Sequence, residues 1–360
     1  MSVLHVVSVS GGKDSLSTLL IALERFGKHR TVPIFCDTGN EHEAVYEYLA
    51  YLEERLGIQI IHLKANFDAE IAAKRMFIAR DVRHRRVYDT ESVFDDLANP
   101  VWKRDGRGNI VTRTLKRGDM TIDELVQKTK KIGGGRKVRW TNKAKRRALE
   151  VLHPTGNPYL DLCLWKGRFP SRKAQFCTEF LKRNPAVEHQ LSLMDQGHTV
   201  VSWQGIRRDE SDVRKNAKKF ESVGGGLYIY RPIVEWTVQD VFRHAEMAEV
   251  KPNPLYLQGM GRVGCMPCIN ASKAELNEIG KRFPLHVARI HEWEQRVSRG
   301  SKRQAATFIP APGIKTHEAK EHGIYAVIQW ARTERGGKFI DTRPSLFAPT
   351  ECASAYGLCE

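Results

Sequence analysis

The chain has no run of 18 or more apolar residues, so no segment is long enough to cross a bilayer as a helix. It lacks the charged start and small-residue cleavage site of a secretory signal peptide, which makes a cytoplasmic location the expectation. Cysteine is sparse: seven residues, an odd number, scattered over 360 positions, which is not a disulfide framework. Thiols kept reduced are free to ligate a metal or to react. No HExxH pair is present, so the histidines read as ordinary core or surface residues. No internal repeat or long low-complexity tract stands out. Acid is missing from one window: Lys128 to Arg147 holds ten basic residues and no Asp or Glu.

That window dominates a chain of net charge +16. Between residues 71 and 170, 24 Lys and Arg face 11 Asp and Glu. Such a patch suits a phosphate backbone, and Trp140 inside it offers an indole for stacking on a base. A solvated basic loop broken by Gly133-Gly134-Gly135 is the alternative.

The sharpest signal lies at the start. An apolar run, Val3 to Val9, ends in Ser10-Gly11-Gly12-Lys13-Asp14-Ser15 and feeds a helical segment from Leu16 to Leu23. Glycines let backbone N–H groups approach an anion, and a helix N-terminus adds partial positive charge. Lys13 adds a full charge, the serines add hydroxyls, and Asp14 can hold Mg²⁺ or orient the loop. The spacing is not that of a Walker A motif; the six residues match the PP-loop of ATP pyrophosphatases.

Further strands are expected at 31–36, 58–63, 198–203 and 227–230, with a helix near Glu43 to Leu56 carrying Val45, Leu49, Leu52 and Leu56 at helical spacing. The alternation predicts an α/β fold, a mostly parallel twisted sheet with helices on both faces. The expected division is a nucleotide-binding domain over 1–80 and 166–270, a basic insertion over 81–165, and a helical C-terminal region over 271–360. Thr237 with Asp240, and Ser272 with Glu275, have capping-box spacing.

Three further motifs bear on chemistry. Asp37-Thr38-Gly39-Asn40-Glu41 follows the second strand, and its carboxylate and tight turn share a sheet edge with the PP-loop. Gly205-Ile206-Arg207-Arg208-Asp209-Glu210-Ser211 places arginines where they can clamp an anion. Gly264-Cys265-Met266-Pro267-Cys268 is a CxxC; Cys177, Cys352 and Cys359 are the remaining candidate thiols, whereas Cys36 and Cys163 sit in apolar strings. A CxxC can bring two thiolates to one zinc ion or iron–sulfur cluster, and a thioredoxin-type redox dithiol is the third possibility.

In composition and order, Ser10–Ser15, Asp37–Glu41, Cys177–Lys182, Gly205–Ser211, Arg231–Trp236 and Asn253-Pro254-Leu255 running into Gly264–Cys268 resemble the phosphoadenosine phosphosulfate (PAPS) reductase family of the PP-loop superfamily. The resemblance implies an adenine nucleotide alpha hydrolase-like fold. It implies nucleotide contacts from Ser10, Gly11, Gly12, Lys13, Asp14, Ser15, Asp37, Thr38, Gly39 and Arg207. Two readings follow. An intact PP-loop is similar to those of enzymes that split ATP with Mg²⁺, adenylylate a substrate and admit a sulfur nucleophile. Lys13, Asp14, Asp37 and Arg207 would then serve catalysis, and Cys177, Cys265, Cys268 and Cys352 or Cys359 would hold a [4Fe–4S] cluster or zinc. The acceptor would be a nucleic acid gripped by residues 128–147, with a sulfur-donor protein as partner. The alternative is a PAPS or adenylyl-sulfate reductase, with Cys359 as nucleophile and thioredoxin as electron donor. A non-enzymatic nucleic-acid-binding protein with a structural metal is the third reading.

Overall fold

The computed structural model describes residues 2–81, 86–117, 120–137, 140–312 and 319–334. The chain divides into two compact units, one from Met1–Met76 with Arg147–Glu360 and one from Phe77–Arg146. The smaller unit ends earlier than the insertion expected over 81–165; residues 147–165 belong to the larger unit.

The larger unit holds a six-stranded sheet. Its parallel strands are β1 (Val3–Ser8), β2 (Thr31–Asp37) and β3 (Ile61–Lys64). Four strands of the smaller unit follow in sequence, β4 (Arg86–Ser92), β5 (Thr112–Arg117), β6 (Met120–Leu125) and β7 (Thr129–Lys137). The sheet then gains β8 (Thr199–Trp203), β9 (Phe220–Gly224) and β10 (Leu227–Tyr230), in the order β3-β2-β1-β8-β10-β9. Only the edge strand β9 runs antiparallel. The order reverses beside β1, so the loops after β1 and β8 share the switch point where open α/β sheets bind ligands.

Helices cover both faces. α1 (Lys13–Phe26), α2 (Glu43–Leu56), α3 (Asp68–Arg80), α4 (Asn142–Val151), α5 (Pro158–Lys166) and α6 (Asn184–Asp195) come first. α7 (Val238–Met247), α8 (Pro254–Leu257), α9 (Lys273–Arg282), α10 (Pro284–Gly300) and α11 (Ala319–Ala331) complete the set. Val6, Ile34 and Val200 point to one face and bury Ala186, Leu193 and Met194 of α6. His5, one residue from Val6, points the other way and stacks on Phe26 of α1 at 3.6 Å. Its Nδ1 accepts from Trp203 Nε1 at 3.0 Å, which satisfies both buried rings. No helix is long and apolar enough to span a membrane among the described residues.

The expected strand at 58–63 begins later, at Ile61. Gly57 takes a left-handed conformation after α2, and the N–H groups of Ile58 and Ile60 go to Glu53 O and Glu53 Oε1. Those residues therefore finish a helix end before the chain can pair with β2. Both expected capping boxes are formed.

The smaller unit is built of antiparallel pairs, β4 with β7 and β5 with β6. Asp95 Oδ1 accepts from the N–H of Leu97 and Asn99, and Asp105 Oδ1 accepts likewise from Arg107 and Asn109. Two turns of the same build thus follow one another ten residues apart, too short a period to stand out in composition.

One contact gives a pH prediction. His286 of α10 lies with Nε2 3.0 Å from Glu43 Oε2. Burial, with Arg289 nearby, pushes its pKa from 6.5 down to about 4. The unfolded chain takes up this proton near pH 6.5 and the folded chain only near 4, so stability is lost as pH falls across that window. A His286→Asn variant should lose less of its urea midpoint between pH 7 and pH 5 than the native chain; equal losses would remove this histidine from the acid sensitivity.

Candidate functional site

The PP-loop follows β1 directly. Val9 N still donates to Ile34 O at 2.8 Å, holding the strand until the turn. Gly11 adopts φ +79°, and a Cβ there would stand 3.2 Å from Val45 Cγ1, so both backbone and space call for glycine. Ser10 N donates to Ser15 Oγ at 3.1 Å, Gly12 N to Ser10 Oγ at 3.4 Å, and Lys13 N to Tyr256 Oη at 2.9 Å. The open anion cradle expected from the sequence is therefore closed in this structure. Hydroxyl groups hold three amide donors of the loop.

Behind the loop lies a buried charge cluster. Lys13 is 6% exposed and Asp14 is fully buried; Lys13 Nζ stands 3.3 Å from Asp14 Oδ2. Arg207 Nε donates to Asp14 Oδ1 at 2.5 Å, and its Nη1 pairs with Asp209. Glu210 accepts from Arg207 N at 3.1 Å and pairs with buried Arg214. Burial works against the Lys13 ammonium, but Asp14, Tyr256 and Glu210 together outweigh it and raise its pKa; for Arg207, Asp14, Glu210 and Asp209 together do the same. Both cations therefore stay charged at neutral pH. Gly205 makes this approach feasible, because a Cβ there would fall 2.9 Å from the Asp14 carbonyl. The sequence placed Asp14 as a Mg²⁺ ligand or loop orienter. Here both its oxygens face cations, which is the orienting arrangement.

Asp37, at the end of β2, uses Oδ1 to accept from Gly39 N at 2.9 Å and Tyr46 Oη at 2.7 Å. Thr38 Oγ1 donates to Glu41 Oε1 at 2.7 Å and lies 3.4 Å from Cys265 Sγ. Glu41 is buried, its carboxyl held above the usual range mainly by that burial, and its backbone bridges to Cys265. The N-terminus of α5 docks on the same loop: Asn157 Nδ2 donates to Gly39 O at 2.7 Å and Tyr159 N to Thr38 O at 3.0 Å.

Cys177, Cys265 and Cys268 line one small cavity together with Thr38, Tyr159 and Lys182. Its volume is about 20 Å³ to the centres of water-sized spheres, room for about one water in the present packing. Cys177 immediately precedes a π-helical stretch, Thr178–Arg183, a distortion common where a helix serves a site. Asn270 N donates to Cys268 Sγ at 3.4 Å, and burial drives the Cys265 thiol pKa well up. Cys163 is buried and Cys36 half-buried, each outside this cavity lining. Cys352 and Cys359 lie outside the described residues.

Among the described residues, His42, Glu43 and His286 are the one group of three ligand types with atoms all within 4.8 Å. His42 Nδ1 already accepts from Ala44 N as the cap of α2, and His286 Nε2 hydrogen-bonds Glu43 Oε2, so this is a helix cap beside a hydrogen bond.

In the smaller unit, Lys128, Lys130, Lys131, Lys143 and Arg146 are exposed. Trp140 is 8% exposed, which corrects the expectation of a free stacking surface: the indole serves packing. Lys145 is turned inward onto Asp81 O.

Sequence reasoning missed Tyr256, Glu41 as a link to the cysteines, Lys182, Tyr159, and Arg214 as partner of Glu210. Tyr256 follows directly on Asn253-Pro254-Leu255, and Glu41 closes the Asp37 turn, so their positions were in view without their roles. Tyr159 carried no signal.

The family model of the phosphoadenosine phosphosulfate reductase domain matches residues 4–102 and 120–271. An uncharacterized 37.8 kDa protein of Escherichia phage 186 is 39% identical over the whole chain and 97% of its own length. The adenosine 5'-phosphosulfate reductase of Burkholderia cepacia is 28% identical over 116 residues, which are 31% of this chain and 43% of that enzyme. The crystal structure of a phosphoadenylyl-sulfate reductase from Candida auris, a phosphate complex, aligns over 74% of this chain and 83% of its own at 12% identity, with a TM-score of 0.36.

Proposed function

Because the chain belongs to the phosphoadenosine phosphosulfate reductase family, we propose that its PP-loop takes the β,γ-phosphates of ATP and that the reaction is adenylyl transfer. An acceptor oxygen attacks the α-phosphorus, the α,β P–O bond breaks, and pyrophosphate leaves with the charge it develops. The observation that carries this reading is the pair of buried cations, Lys13 and Arg207, aimed by one buried carboxylate at the N-terminus of α1. Preorganised charge of this kind stabilises a departing phosphate without reorganisation. The hydroxyls of Ser10, Ser15 and Tyr256 now occupy loop amides. Phosphate oxygens can replace them bond for bond once Tyr256 turns away. Asp37 is the better Mg²⁺ candidate of the two aspartates, because its turn uses only Oδ1.

The cysteine cavity suits an anionic iron–sulfur cluster in its donor set: three thiols, an amide aimed at one sulfur, and Lys182 in the lining. Such a cluster, when bound, would supply a place to hold sulfide for the second step, in which sulfur displaces AMP. Thr38 and Glu41 connect that place to the nucleotide loop. The exposed lysines of the smaller unit make a nucleic acid the proposed acceptor.

A second reading, sulfonucleotide reduction, draws on the named adenosine 5'-phosphosulfate reductases among the relatives. A parallel product assay separates the two. Anaerobic protein given ATP, Mg²⁺ and DNA or RNA should release pyrophosphate, while adenylyl sulfate or PAPS with thioredoxin should yield no sulfite. Sulfite without pyrophosphate would reverse the assignment. Neither product, with salt-sensitive nucleic-acid binding, would leave a binding protein.

A further inference from the structure

Tyr159 presents an unfilled donor to the cysteine cavity. Its side chain is 2% exposed, it lines the cavity beside Cys177, Cys265 and Cys268, and its hydroxyl has no hydrogen-bond partner among the described residues. Buried tyrosine hydroxyls are ordinarily satisfied, so an orphan aimed at a cavity points to a group that belongs there. The placement is built rather than incidental. The ring lies parallel to Trp293, with centroids 5.8 Å apart and planes 23° apart, and Phe308 packs at 6.2 Å. Its backbone N–H is tied to Thr38 O at 3.0 Å, and Asn157, the cap of α5, is tied to Gly39 O. The ring is therefore clamped between the helical C-terminal part and the nucleotide loop. Of the other hydroxyls in the lining, those of Thr38 and Thr178, the Thr38 one is already given to Glu41.

We infer that the Tyr159 hydroxyl is a hydrogen-bond donor to sulfur of an anionic iron–sulfur cluster held by Cys177, Cys265 and Cys268. The inference rests on the cluster reading of this cavity and deepens it. A donated hydrogen bond to a cluster sulfur draws off negative charge, favours the reduced state and raises the reduction potential. Tyr159→Phe keeps the ring and its packing on Trp293 while removing only the donor.

The test compares the full native chain and Tyr159→Phe after anaerobic reconstitution with iron and sulfide. Iron and sulfide content are measured first, then the midpoint potential by redox titration. Equal iron content with a potential shifted negative in the variant is the expected result. Replacing Tyr159 by 3-fluorotyrosine, a stronger donor, should shift the potential positive; this opposite-sign readout stands even if Tyr159→Phe folds poorly. Equal iron with unchanged potentials in both variants would overturn the role of Tyr159 and leave the cluster in place. A native chain that takes up no iron or sulfide would overturn the cluster reading and the donor together.

Discussion

Replacing Lys13 with methionine should lower the rate of pyrophosphate release from ATP by roughly 10²- to 10³-fold, the scale seen when one preorganised charge-stabilising group is lost. Methionine fills the buried space of the lysine stem, so the loss isolates the ammonium. The larger part should fall on kcat, because the leaving pyrophosphate carries more charge on its bridging oxygen in the transition state than in bound ATP. Arg207 and the helix N-terminus remain, so binding of ATP should weaken less. Unchanged turnover in steady-state assays would exclude the ammonium from the reaction.

Asp14→Ala should cost about 3–5 kcal/mol of stability, the range for breaking a buried ion pair by removing one partner. Asp14 is fully buried and answers two cations, Lys13 at 3.3 Å and Arg207 at 2.5 Å. Without it, both cations face each other with less compensation in a dry site. Asp209→Ala is the matched control. Asp209 also pairs with Arg207, but its side chain is 48% exposed, and such pairs contribute about 1 kcal/mol or less. Urea denaturation followed by circular dichroism measures both. Similar midpoint losses for the two variants would mean that Asp14 does not anchor the cluster.

Much of the framework was legible because its signals are local. β1, the PP-loop and α1 follow from an apolar run, two glycines and a helical stretch, and α2 follows from Val45, Leu49 and Leu52, all buried on one face. The strand at 58–63 was overdrawn because β-branched Ile58 and Ile60 score as strand, while their N–H groups are taken by Glu53. The site's convergence was legible only as motifs in order. That Cys265 meets Thr38 and Glu41, or that Tyr256 reaches Lys13 N across 243 positions, depends on tertiary closure, which no local pattern reports. Trp140 misled for the same reason: a basic neighbourhood says nothing about which way an indole turns.

The most direct measurement is calorimetric titration of the full chain with α,β-methylene-ATP and Mg²⁺, in which the scissile bridge cannot break. Saturable binding at one site, abolished or strongly weakened in a Lys13→Met, Arg207→Met double variant that remains folded, is the expected result. Absence of binding at millimolar nucleotide, or equal binding by that double variant, would contradict a PP-loop that opens to receive a triphosphate.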